Sequence, residues 1–164
     1  MTGIQNVTIR MIDYYSGDPK RIQHFLKVHQ FAKLIGELEQ LDSKTQEILE
    51  VAALVHDIGI KRSEEKYNSS AGKYQELEGP PEAEALLIPL GYSQAFVSRV
   101  CWLVGHHHTY NSIEQVDHQI LVEADFLVNA YEDALSEGAI RKVLTKVFRT
   151  KSGIQLLRTM YLSE

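Results

Sequence analysis

Cysteine is nearly absent from the sequence, since Cys101 is the single one among 164 residues. One thiol excludes a disulfide within the chain and is typical of proteins that work in a reducing cytoplasm. No apolar run approaches the roughly 20 residues that a membrane-spanning helix needs. The N-terminal segment MTGIQNVTIRMIDYY is too polar for a signal peptide. We therefore expect a cytoplasmic protein without a membrane partner.

Positive charge is also scarce, because 17 Lys and Arg residues stand against 22 Asp and Glu residues and the net charge is −5. No stripe of basic residues stands out, which argues against a nucleic-acid polymer as a partner. A chain of this length suits one domain with its own core, and we predict a single domain over residues 1–164. The oligomeric state stays open, with a homodimer as one candidate.

Strand signals are missing as well, whereas helical periodicity recurs along the chain. The sequence therefore predicts an all-α fold, a compact helical bundle. We expect helices over 6–15, 19–40, 43–59, 80–89, 94 to the GHHHTY segment, 114–133, 137–149 and 151–162.

Capping signals set several of these boundaries. Asp18 before Pro19 predicts an N-cap followed by proline at the first helical position. Ser43 with Gln46 has the spacing of a capping box, and Gly59 is a natural residue just beyond a helix end.

Residues 60–79 are polar and lack periodicity, so we predict a long loop there. Loops of this length inside a compact domain are usually functional. The loop would lie beside any site formed at the end of the preceding helix.

The segment VAALVHDIGI raises the functional question, because an apolar helix ends in adjacent polar residues, His56 and Asp57. A buried carboxylate is rarely left unpaired. Adjacent helical residues diverge by about 100°, yet both side chains can reach one ion at the helix end. The alternative for His56 is a core histidine bonded to a backbone carbonyl.

Helical phase selects two further inward polar residues. His24 lies within about 40° of Val28 and Ile35 on the apolar face of its helix. Asp125 lies within about 60° of Leu121 on the apolar stripe of its own helix. By the same count, Glu123 is about 160° away from Asp125 and is expected to be solvated. The alternatives are a core histidine for His24 and a helix-capping carboxylate for Asp125.

These four residues form a mixed nitrogen and oxygen donor set: His24, His56, Asp57 and Asp125. Such a set suits a divalent transition metal (Fe, Mn, Co, Ni or Zn) and differs from cysteine-rich structural zinc sites. A divalent cation would offset the burial of both carboxylates.

Three segments together resemble the HD-domain superfamily of metal-dependent phosphohydrolases. HFLKVHQFA resembles its H-x-x-[RK]-V-x-x-x-A element, HDIG its His-Asp doublet, and EADFLVN its final aspartate segment. They occur in the family's order and span about residues 20–132. The resemblance implies an HD-type bundle with the C-terminal helices at 137–162 added. It places the family's metal ligands on His24, His56, Asp57 and Asp125.

The resemblance also implies a second site in many members, which binds a second metal ion. The position that often carries a histidine there falls near Glu78, which departs from the family pattern. In the GHHHTY segment, phase places His107 on an apolar stripe, His108 on a neighbouring one and His106 on a more polar side. We predict that Glu78 and His107, assisted by His108 or His106, bind a second metal ion or the substrate. Solvated loop or helix-end positions are the alternative for each.

Lys61 and Arg62 follow the doublet and are candidates for holding phosphate oxygens, with a solvated surface role as the alternative. The predicted function is metal-dependent hydrolysis of a nucleotide or another small phosphorylated metabolite, using one or two ions. Asp57 would orient the attacking water, and His107 or Lys61 would neutralise the charge that develops on the phosphoryl group. The alternatives are a di-iron oxygenase of the same superfamily and a non-catalytic metal- or nucleotide-binding regulatory domain.

Overall fold

The computed structural model describes residues 3–162, so the ends of the predicted domain, 1–2 and 163–164, lie outside it. The described residues form helices and no strand, which confirms the all-α prediction. The helices are α1 (Gly3–Tyr14), α2 (Pro19–Leu38), α3 (Ser43–Val55), α4 (Gly59–Tyr67), α5 (Gly72–Leu87), α6 (Gln94–Val104), α7 (Gln115–Glu132), α8 (Glu137–Lys146) and α9 (Lys151–Tyr161), with a 3₁₀ turn at Ile88–Leu90.

Helix α3 lies at the centre of the bundle. Every residue from Ile48 to Val55 is buried, and the helix contacts α1, α2, α6 and α7. A helical segment that is buried on all sides needs other helices around it. Because α3 ends at Val55, and not at Gly59 as predicted, the chain turns at the His56–Asp57 doublet.

The helix starts agree with the capping signals at one position and differ at another. Asp18 accepts a hydrogen bond from the Arg21 N–H, with Pro19 at the first helical position, as predicted. At α3 the predicted Ser43–Gln46 capping box is wrong. Asp42 caps this helix instead, because its carboxylate accepts hydrogen bonds from the backbone N–H groups of Lys44 and Thr45.

The predicted loop over residues 60–79 is wrong. Helix α4 begins at Gly59, and α5 begins at Gly72, so only residues 68–71 connect them. Helix α5 runs through Pro80 and Pro81, which the sequence placed at a helix start. Each proline removes one backbone donor inside the helix.

The polar character of α4 has a physical explanation. Its buried residues are Gly59 and Ser63, and the Ser63 hydroxyl donates to the Gly59 carbonyl. A Cβ added at Gly59 would lie 2.7 Å from the Gly79 nitrogen and 2.6 Å from the Gln75 carbonyl oxygen. The α4 and α5 backbones therefore touch through small residues, and the usual apolar stripe is missing.

Glu123 is another exception to the sequence prediction, since it is fully buried and not solvated. Its carboxylate accepts hydrogen bonds from the backbone N–H groups of Arg149 and Thr150 and from the Thr150 hydroxyl. The side chain thus fixes the start of α9 against α7. Among residues 3–162, no helix combines the length and apolar character needed to cross a bilayer.

Candidate metal centre

Three helices deliver the four predicted ligands to one place. His24 comes from the second turn of α2, Asp125 from the middle of α7, and His56 and Asp57 from the turn that follows α3. His24 Nε2 lies 3.3 Å from His56 Nε2, from Asp57 Oδ2 and from Asp125 Oδ1. The phase argument therefore selected residues that the fold brings together.

The distances fit a shared cation. His56 Nε2 lies 3.5 Å from Asp57 Oδ2 and 3.4 Å from Asp125 Oδ1. Each carboxylate oxygen thus forms a nearly equilateral triangle with the two Nε2 atoms. Ligands bonded at about 2.0–2.2 Å in a tetrahedral arrangement are roughly 3.3–3.6 Å apart.

The tautomers of the two histidines also fit a cation. His56 Nδ1 donates to the Ala53 carbonyl at 2.8 Å, and His24 Nδ1 donates to Glu132 Oε2 at 3.1 Å. With Nδ1 carrying the proton, each Nε2 presents a lone pair towards the other. Two lone pairs at 3.3 Å need a proton or a cation between them. This chain's own residues therefore fit a divalent metal.

A second cluster begins at the other oxygen of Asp57. His107 is fully buried, its Nδ1 donates to the Val104 carbonyl at 2.7 Å, and its Nε2 makes no hydrogen bond. This Nε2 lies 3.4 Å from Asp57 Oδ1. An unpartnered buried acceptor that faces a carboxylate is costly unless a cation or a ligand satisfies both groups.

His108 joins this second cluster but is held differently. Donor atoms of Asp57, His107 and His108 all lie within 4.8 Å of one another. The Gln75 amide nitrogen donates to the Ser70 carbonyl, so its oxygen faces His108 Nε2 at 3.0 Å. His108 Nε2 therefore carries a proton and donates it in a hydrogen bond to Gln75, whereas His107 Nε2 has no hydrogen-bond partner. This favours a contact with substrate over a contact with metal for His108.

Other candidates from the sequence lie elsewhere, among them Arg62, which pairs with Glu65 and Glu82. Both oxygens of Glu78 are occupied, one by Lys66 Nζ at 2.7 Å and one by the Tyr67 hydroxyl at 2.8 Å. Glu78 belongs to no group of potential metal ligands among residues 3–162. Glu78 lies in helix α5 and not in the predicted loop, and its carboxylate faces α4, where Lys66 and Tyr67 bind it.

Lys61 is the next of these candidates. Its ammonium group lies 5.1 Å from the centre of the Tyr14 ring and 3.4 Å from the Tyr14 carbonyl oxygen. Lys61 does not line the cavity above the ligand cluster. His106 stacks on Trp102 on another face of the protein. The structure therefore brings neither residue into the site.

Two residues that the sequence analysis missed support the ligands. Asn129 Nδ2 donates to Asp125 Oδ1 at 2.9 Å. Glu132 accepts from His24 Nδ1 through one oxygen, and its other oxygen lies 2.6 Å from Lys27 Nζ. Both residues lie within about 40° of Asp125 in helical phase, so the stripe that revealed Asp125 could have revealed them.

An open cavity of about 420 Å³ lies above the cluster. Its walls include His24, Asp57, Asp125 and His108, so the candidate ligands are accessible to a small molecule. At its rim Arg21 forms ion pairs with Asp18 and Glu64. The sequence analysis did not select Arg21 as a site residue.

The charges of the cluster are strongly coupled. Burial alone would lower the pKa of His56, but Asp57 and Asp125 outweigh it and raise this pKa to about 9. Burial would raise the pKa of Asp57, but His56 and His107 lower it to about 2. Without a metal ion, a proton on the imidazoles therefore supplies the counter-charge that the buried carboxylates need.

This coupling predicts the pH dependence of the metal-free protein. The raised pKa of His56 stabilises the fold fully below its ordinary value of 6.5, and this contribution is lost as the pH rises through about 9. Denaturant unfolding after chelator treatment is expected to give a lower free energy of unfolding at pH 9.5 than at pH 6. The metal-loaded protein, in which the ion replaces the proton, is the control and should show a smaller fall. A metal-free protein equally stable at both values would contradict the coupling.

Glu132 is predicted to tune the affinity of His24 for metal. Replacing Glu132 by Ala removes the acceptor that orients the imidazole, and such losses weaken metal binding about 10–100-fold. Glu132→Gln keeps an oxygen for Nδ1 and should lose less. The measurement is calorimetric titration with Mn²⁺ or Co²⁺, with Glu137→Ala, an exposed change on α8, as control. Equal affinities in Glu132→Ala and the control would rule out this role.

Comparison with known proteins agrees with the geometry. The HD domain family model matches residues 21–144, which contain all four candidate ligands of the first cluster. No curated protein matches the sequence. The crystal structure of a predicted HD superfamily hydrolase from an uncultured Thermotogales bacterium is similar, with a TM-score of 0.65 and 27% sequence identity over 96% of this chain and 83% of that one. The match over most of the sequence shows that the chain belongs to the HD domain family.

Proposed function

We propose that the protein is a metal-dependent phosphohydrolase that acts on a nucleotide or another small phosphorylated metabolite. The observation that carries the proposal is the convergence of two imidazole nitrogens and two carboxylates at the floor of an open cavity. Membership of the HD domain family and similarity to a predicted HD superfamily hydrolase support hydrolysis as the reaction class.

We assign His24, His56, Asp57 and Asp125 as ligands of one divalent transition metal ion, of the series Fe, Mn, Co, Ni and Zn. When bound, such an ion polarises a phosphoryl oxygen and lowers the pKa of water. Asp57 Oδ1 and His107 Nε2, 3.4 Å apart, would provide two ligands of a second metal ion.

The residues of the chain have distinct tasks in this proposal. Asp57 faces both clusters, so it is placed to orient water towards phosphorus. Burial and the neighbouring His107 lower the pKa of His108 to about 4, so His108 is neutral and acts as a hydrogen-bonding group. Lys20, which lines the cavity, replaces Lys61 as the cation that meets the substrate phosphate.

The proposal predicts phosphate release that depends on metal. Protein loaded with Mn²⁺, Co²⁺, Ni²⁺ or Fe²⁺ should hydrolyse members of a panel of nucleotides and sugar phosphates, and a chelator should abolish the activity. His56→Ala should lower kcat/KM at least about 100-fold, because losing several kcal/mol of charge stabilisation corresponds to that factor or more. His29→Ala, which removes a histidine bonded to Glu50 outside the cavity, is the matched control and should stay active.

Two results would count against hydrolysis. One is the absence of phosphate release from the whole panel by metal-loaded protein. The other is a protein that holds two irons and consumes oxygen with an organic substrate, which would establish the oxygenase alternative. Activity unchanged in His56→Ala would separate any observed hydrolysis from this site.

A further inference from the structure

The walls of the cavity above the ligand cluster carry more acidic than basic residues. Two basic residues, Lys20 and Arg21, line the cavity. The acidic residues that line it are Asp18, Asp57, Asp125, Glu132 and Asp133. A site for a highly charged polyphosphate needs the opposite balance, with several cations available to the ligand.

Most of these charges are already neutralised by partners other than substrate. Asp57 and Asp125 face the imidazoles of the proposed metal centre. Glu132 lies 2.6 Å from Lys27 Nζ as well as bonding to His24.

Arg21 is committed too. Its guanidinium group lies 3.1 Å from Asp18 Oδ2 and 2.6 Å from Glu64 Oε1. A substrate phosphate would have to displace two carboxylates to reach it. Arg21 therefore contributes little free positive charge to the cavity.

Lys20 and Asp133 are left as the uncommitted charges of the wall. Both are exposed, and neither forms an ion pair with another residue in the range 3–162. Asp133 follows the last residue of α7, where the helix dipole adds negative potential. One lysine thus remains for phosphate, opposed by a carboxylate and a negative helix end.

We propose, on the basis of the proposed function, that the substrate carries a single phosphate group on a small alcohol that bears hydroxyl or amine groups. One phosphate ester, with a charge of about −1.5 to −2, would bind the metal ion and Lys20 through its oxygens. Every further phosphate would add negative charge that faces Asp133 without a counter-ion. Hydroxyl and amine donors, by contrast, suit the carboxylate oxygens of Asp133, which has no ion-pair partner among residues 3–162.

The test compares pairs of substrates that differ in the number of phosphates. Suitable pairs are a nucleoside 5′-monophosphate with its triphosphate, and a hexose monophosphate with its bisphosphate, at a fixed excess of Mn²⁺. The monophosphate of a pair should have a kcat/KM at least about tenfold higher, because the extra charge is repelled by the wall.

Charge variants identify the cause of that preference. Asp133→Lys should reduce the mono-to-polyphosphate ratio at least about threefold, because it removes the opposing charge and adds a cation. Lysine at a helix C-terminus suits the dipole, so this variant is expected to fold. Glu47→Lys, the same charge change at an exposed position of α3 outside the cavity, is the control and should leave the ratio unchanged. Comparing ratios between variants cancels any chelation of metal by the polyphosphate.

The outcomes separate this inference from the proposed function. A triphosphate or bisphosphate cleaved as well as its monophosphate would overturn the inference and leave the phosphohydrolase intact. Equal shifts of the ratio in Asp133→Lys and Glu47→Lys would overturn it too, because the preference would not arise from the wall. No cleavage of any substrate would overturn the proposed function, and the inference with it.

Discussion

The central constraint on this protein is a counter-charge for the carboxylates of Asp57 and Asp125. Asp125 is buried in the middle of α7, and Asp57, which is partly buried, lies just beyond the end of the central helix α3. Burying carboxylates without compensation costs several kcal/mol each. His24 and His56 supply part of the counter-charge when they are protonated. When both are neutral, their Nε2 lone pairs point at each other. A divalent cation satisfies all four groups at once, and a proton does so only below the raised pKa of His56.

The packing of small residues places the doublet where it can serve this purpose. Gly59 and Gly79 let the backbones of α4 and α5 touch, so the chain turns sharply between Val55 and Gly59. The Tyr15 hydroxyl donates to the Asp57 carbonyl and fixes that turn from the end of α1. A larger side chain at Gly59 would push α4 away and move the turn that carries both ligands.

Helical phase predicted His24 and Asp125 because each lies on the apolar face of a regular helix, and His56 and Asp57 stood out because they follow an apolar run. Once the period of about 100° per residue is known, an inward polar residue stands out from its neighbours. The same reasoning could have found Glu132, seven residues after Asp125. It failed for α4 and α5, where small residues replace the apolar stripe. It also failed for Glu123, whose partners at Arg149 and Thr150 are set by the tertiary fold.

The basic residues that line the cavity were the hardest to predict from sequence. Lys61 follows the doublet directly, but α4 turns it onto the Tyr14 ring. Lys20 lies far from the doublet in sequence and reaches the cavity because α2 begins there. A charged side chain on the surface carries no periodic signal, so its position depends on how the helices pack. The acidic wall above the ligands follows from the same packing and is visible only in three dimensions.

The central claim is that one metal ion is shared by His24, His56, Asp57 and Asp125. Anomalous diffraction at the metal absorption edge, from crystals of protein loaded with Mn²⁺ or Co²⁺, tests it most directly. The account predicts a peak inside this cluster, about 2.0–2.2 Å from both Nε2 atoms and from an oxygen of each carboxylate. Loaded crystals with no peak there, or with a peak only at surface residues, would contradict it.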